Sequence, residues 1–143
     1  KMSKIKEREV DRMDVIGQNG NDGLHYGMTN VHPIVTQMEK EWPEMTKEFK
    51  RLQREQYELF LHKQHDYGPG NISVGTMLQT PEEVKLSLTG LWFRMNDKLQ
   101  RVKTLLMHDR KSAVKDEPLE DAYLDVSNYG IMATIVKNGK WGK

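Results

Sequence analysis

The stretch Thr80-Pro81-Glu82-Glu83-Val84-Lys85-Leu86-Ser87-Leu88-Thr89-Gly90-Leu91-Trp92-Phe93-Arg94-Met95-Asn96-Asp97-Lys98-Leu99 decides the fold class. It opens as a helix start. Thr80 can cap, Pro81 suits the first helical position, and Glu83 can return a bond to the cap backbone. Beyond it Leu88, Leu91, Met95, Leu99, Val102 and Leu106 recur at steps of three and four, which predicts a helix to about His108. Gly90 inside that helix costs about 1 kcal/mol relative to Ala. It either permits close packing or marks a break.

Upstream, Trp42, Met45, Phe49, Leu52, Gln56, Leu59 and Phe60 mark one face of another helix. Pro43 falls at a first turn or a kink. Tyr67-Gly68-Pro69-Gly70-Asn71 forbids continuation past about His65. Downstream, the charged connector Asp109 to Asp116 leads to a third helix from near Pro118 to about Val136. Its expected stripe is Ala122, Val126, Tyr129, Ala133 and Val136, with Asn138-Gly139 as the stop. No alternating Val/Ile segment interrupts this pattern, and no internal repeat is present. The sequence therefore predicts an all-α bundle of three principal helices plus short ones. Residues 1–36 read as an irregular arm and 37–143 as the helical domain. The Gly- and Asn-rich run from Gly17 to Gly23 suits either a plain extension or an arm closing on a ligand through His25 and Tyr26. Lys1 ahead of Met2 reads as an appended residue, with Met2 the expected start.

Composition limits the partners. The 143 residues carry 22 Lys and Arg against 21 Asp and Glu, a net charge of +1, so bulk nucleic-acid binding is not expected. The chain has no cysteine, which excludes disulfides, thiolate metal sites and a Cys nucleophile. The most nearly continuous apolar run, Ile131 to Val136, is far too short to cross a bilayer, and the N-terminus lacks a signal-peptide core. A cytoplasmic protein is expected. Broad apolar faces with Trp42, Trp92 and Phe93 predict a homodimer or homotetramer.

The polar residues are organised around these helices. Glu55, Glu58, His62 and Asp66 follow one side of the first helix. Arg94, Asp97, Lys98 and Arg101 cluster on the second, and Glu117, Asp121, Asp125 and Asn128 climb the third. Asp121 and Asp125 each precede a stripe residue and are expected at the edge of the core. Carboxylates four apart repel, so something should offset them. The candidates are Arg94, Lys98 or Arg101 from the neighbouring helix, or a divalent cation such as magnesium. A solvated charged face gives the same spacing. Trp92, Phe93 and Tyr123 can stack on a base or simply pack. No phosphate-binding Gly-rich loop, zinc signature or nucleophile elbow is present.

The segments Phe60-Leu61-His62-Lys63-Gln64-His65-Asp66-Tyr67-Gly68, Leu91 to Arg101 and Glu117 to Tyr129, in this order, resemble the first nucleotide-modification-associated domain. Such domains look related to the all-α, MazG-like nucleoside triphosphate pyrophosphohydrolases. The resemblance implies an often oligomeric helical domain that binds a nucleotide and Mg2+. It further implies cleavage of a triphosphate to monophosphate and pyrophosphate, for example in a phage nucleotide pool. Asp125 would match the second acidic motif, with Asp121 one turn earlier; Ala122 stands where the MazG-like pattern has a Glu. Glu55 and Glu58 would supply the first motif. The implied metal ligands are thus Glu55, Glu58, Asp121 and Asp125, with Glu58, Asp121 and Asp125 catalytic. Arg94, Lys98 and Arg101 would contact phosphate, and Lys63, Asp66 and Tyr67 would lie beside the nucleotide. The alternatives are a nucleotide-binding module without turnover, serving base modification or scavenging a signalling nucleotide, and a helical interaction protein.

Overall fold

A computed structural model describes residues 32–143, and every regular element within them is helical. The order is α1 (Pro33–Glu41), α2 (Pro43–Tyr67), α3 (Gly70–Ser73), α4 (Pro81–Met107) and α5 (Leu119–Lys137). The three expected helices are α2, α4 and α5. The helical part opens at Pro33, inside the stretch read as an arm. Residues 1–31 of that stretch, with the suggested lid residues His25 and Tyr26, lie outside the described residues.

Pro43 acts as the sequence suggests. Trp42 leaves the helical region (φ −127°, ψ 63°), and Pro43 begins α2 where its missing N–H costs nothing. An ion pair from Lys50 to Glu39 holds α1 against α2 across the bend. At the other end Gly68 terminates α2 with φ 65° and ψ 176°, a conformation that excludes a Cβ. Helix α4 starts with the expected capping box: Glu83 N–H donates to Thr80 Oγ1 (3.2 Å), while Thr80 N–H donates back to Glu83 Oε2 (3.4 Å). It runs unbroken through Gly90, so the break is not observed.

The core lies between α4 and α5, closed at one end by α3 and by the segment after α5. Ile72, Leu91, Met132, Val136 and Trp141 form its buried centre, with Phe60, Leu78, Val84, Leu88 and Tyr129 packed around them. On α5 the buried line is Ala122, Asp125, Asn128, Met132 and Val136, rotated from the expected stripe so that Asp125 itself faces inward. Asp121 is exposed, not at the core edge. The long helix α2 is the larger departure. Its apolar face exists, but Trp42, Met45 and Phe49 are 52%, 62% and 63% exposed, and the only residue it buries is Gln56. Leu99 and Leu106 of the α4 stripe are exposed as well.

Candidate functional site

The crossing of α2 over α5 is built by polar groups. Gln56 sits within the α2 stripe and donates from Nε2 to the Leu124 carbonyl (3.4 Å). Asn128 Nδ2 donates back to the Gln56 carbonyl (3.4 Å). About two turns further along α2, the same crossing brings Lys63 to α5. Its ammonium lies 3.0 Å from Asp125 Oδ1, and Lys98 of α4 lies 3.0 Å from Asp125 Oδ2. Asp125 is thus clamped by two cations from two different helices, with only 11% of its side chain exposed. Lys98 reaches Glu117 as well, at 3.5 Å.

Burial alone would push the Asp125 carboxyl up. The hydrogen bonds and charges of Lys98 and Lys63 outweigh that and hold it below the usual carboxylate range. The same bond to Asp125, helped by Glu117, raises Lys98 above its ordinary value against the effect of burial. Both groups are charged at neutral pH.

Flanking the clamp along α4 are Arg94, four residues before Lys98, and Arg101, three after it. Arg94 donates to Asn71 Oδ1 (2.8 Å), tying α4 to the start of α3. Arg101 donates to the carbonyls of Glu117 and Pro118 and to Ser112 Oγ, fixing the connector that leads into α5. Both arginines bind neutral oxygens. Among the described residues neither forms an ion pair, so their charge is not cancelled by a carboxylate. Asp66 and Tyr67 lie at the end of α2 and are exposed, with Asp66 Oδ1 3.0 Å from His65 Nδ1.

The four expected metal ligands are not gathered in this way. Glu55 is bound by Arg51 on its own helix, and Glu58 and Asp121 are exposed. Among the described residues no three His, Asp or Glu side chains converge on one point. Asp125 has both oxygens on ammonium groups. Within one chain this donor set fits a cation clamp and does not fit a magnesium site, because Lys63 and Lys98 stand where the metal would have to bind.

Residues 63–136, just over half of the chain, match the family model described as nucleotide modification associated domain 1. The chain belongs to that family. No curated protein and no solved structure matches it. The matched span of this nucleotide-modification-associated domain holds Lys63, Asp66, Tyr67, Arg94, Lys98, Arg101, Asp121 and Asp125, and leaves out Glu55 and Glu58.

Sequence reasoning misses two contributors, Gln56 and Asn71, and one pairing, that of Lys63 with Asp125. Gln56 is visible as the one polar residue in an apolar stripe, which marks a buried crossing. Asn71 looks like turn punctuation, and its role depends on Arg94 reaching it. Lys63 is expected near the nucleotide, but its pairing with Asp125 spans 62 residues and has no local signal.

Proposed function

We propose that this domain binds a nucleotide by its phosphates on the strip formed by Arg94, Lys98, Arg101 and Lys63. The observation that carries the reading is the clamp itself: two lysines converge on one nearly buried carboxylate, beside two arginines that form no ion pair among the described residues. A di- or triphosphate brings more negative charge than Asp125 and can take over its donors. Arginine supplies planar, forked contacts and lysine a point charge. Asp66 and Tyr67 at the end of α2 would meet the sugar or base. The description of the family accords with a nucleotide ligand. Turnover is not required by this arrangement, so a binding module serving nucleotide modification is the favoured form.

A second reading, magnesium-dependent pyrophosphohydrolysis of the MazG-like kind, is favoured by one observation. Helices α2 and α5 meet at Gln56 and Asn128, so the two acidic helices of that reaction are neighbours here. It requires Asp125 to give up its lysines. The products would be a nucleoside monophosphate and pyrophosphate, formed with one water. The exposed apolar face of α2 supports a homodimer or homotetramer under either reading.

The test is a panel of ribo- and deoxyribonucleoside mono-, di- and triphosphates with and without Mg2+. Binding would be followed by calorimetry and products by chromatography. Retention of di- or triphosphates without magnesium, and without products, supports the binding module. Monophosphate plus pyrophosphate appearing only with magnesium transfers the assignment to the second reading. No binding and no products overturn both.

A further inference from the structure

We propose that Trp141 is a positioning residue for the turn beside the phosphate strip, holding Gly68 to Asn71 in the form that nucleotide binding uses. The proposal rests on the nucleotide-binding reading. Trp141 lies outside the span that matches the family model. It reaches the turn through a sharp change of direction at the end of α5. Lys140 N–H donates to the Ile135 carbonyl (3.1 Å) and Gly139 N–H to that of Val136 (3.0 Å), with Gly139 at φ 65°. This pairing is the Schellman stop, and it folds residues 140–143 back onto the bundle.

Trp141 and its neighbour meet the turn twice at Pro69, and the Trp141 ring also packs on α2. The indole N–H of Trp141 donates to the Pro69 carbonyl (2.9 Å), its ring meets Phe60 edge-on at 6.1 Å, and it is 8% exposed. Gly142 comes so close to the same proline that an added Cβ would stand 3.2 Å from Pro69 Cβ. From α4 Arg94 grips Asn71, and Ser87 Oγ donates to the Ile72 carbonyl (2.6 Å). The segment Pro69 to Ile72 is therefore held by both α4 and Trp141. One member of the α4 grip, Arg94, belongs to the phosphate strip itself, so a shift of Asn71 displaces a phosphate-binding side chain.

Stability and positioning can be separated here. The Pro69 carbonyl accepts from the amides of Ile72 and Ser73 (3.2 Å each) as well, so Trp141→Phe leaves it bonded and keeps an aromatic ring against Phe60. The experiment compares wild type, Trp141→Phe and Trp141→Ala by amide hydrogen exchange, thermal midpoint and nucleotide Kd, the last well below every midpoint. We expect exchange at Gly68 and at Gly70 to Ser73 to rise roughly tenfold or more in Trp141→Ala, and by less in Trp141→Phe. Kd should rise by about tenfold in Trp141→Ala, with Trp141→Phe intermediate while its midpoint stays close to wild type. If Trp141→Ala fails to fold, Trp141→Phe alone decides, by turn exchange and Kd at a preserved midpoint. Unchanged turn exchange overturns the clamp. Faster exchange with unchanged Kd shows a merely structural tryptophan and overturns the positioning role. A wild type that holds no nucleotide defeats the nucleotide reading and the affinity half of this proposal, and exchange then judges the clamp by itself.

Discussion

At Asp125 one side chain carries both the stability and the functional argument. Its folded pKa lies below the unfolded one, so the unfolded state takes up more protons in acid. The stabilisation is therefore present above the unfolded value of about 4 and is lost as pH falls through the folded value. Lys98 has the opposite sign. Its folded pKa is raised, so its contribution is complete below about 10.5 and disappears as pH rises through the folded value. Asp125→Asn should lower unfolding stability at neutral pH by about 1–3 kcal/mol, since it takes the shared counter-charge from two part-buried ammonium groups and leaves Lys98 only Glu117. It should also flatten the acid limb, as urea melts between about pH 3 and 7 would register. The same variant divides the two functional readings. If phosphate displaces Asp125 from the lysines, removing that competitor tightens binding of a triphosphate by about threefold to tenfold, roughly 1 kcal/mol. If Asp125 serves hydrolysis, Asp125→Asn abolishes product formation. Lys98→Met weakens binding under the first reading, and unchanged affinity there would sink the phosphate strip.

The helices themselves are legible because their start and stop chemistry is local. Thr80, Pro81 and Glu83 form the box that their spacing implies, and Gly68 and Gly139 stop α2 and α5 with positive φ. Thr80→Ala should therefore cost about 1 kcal/mol in thermal or chemical unfolding. Gly90 is the informative counter-example. Placed mid-helix, it invites a packing or hinge explanation, yet a Cβ there would meet only Val74 Cγ2 at 3.8 Å, an ordinary contact. Gly90→Ala should raise stability by about 1 kcal/mol; a lower midpoint would mean that α4 flexes at this position. The rotation of α5 is not legible. Ala122 and Val136 fit both the expected and the observed stripe, and the choice between Val126 and Asp125 as the inward residue turns on Lys63 and Lys98 being present to neutralise the acid. Periodicity counts apolar residues and cannot see a satisfied charge. The same blindness hides the clamp: the acidic ladder and the basic set are both visible, but which acid meets which lysine depends on the crossing of α2 over α5.

On the scale of the molecule, the distribution of apolar surface is the fact that most needs a partner. Helix α2 is 25 residues long, about 37 Å, yet buries only Gln56 among its residues. Trp42 just before its start and Met45 and Phe49 in its N-terminal half form one stripe at steps of three and four, each more than half exposed. Buried apolar residues within the described part are limited to Ile72, Leu91, Ala122, Met132, Val136 and Trp141, a small core for five helices. A stripe of that spacing is the pattern by which one helix seats on another, and an isolated helix of this kind gains little from its own propensity. Self-association through α2 would cover the stripe and leave the Lys63 end, on the opposite half of the helix, free for ligand. We therefore expect a homodimer or homotetramer by light scattering at micromolar concentration. Met45→Glu with Phe49→Glu should shift that species toward monomer and lower its thermal midpoint by several degrees. Because these positions lie outside the α4–α5 core, the monomeric variant should keep its helical signal. A wild type that scatters as a monomer, with a midpoint indifferent to both substitutions, would leave the stripe unexplained by self-association and would show that α4 and α5 alone sustain the fold.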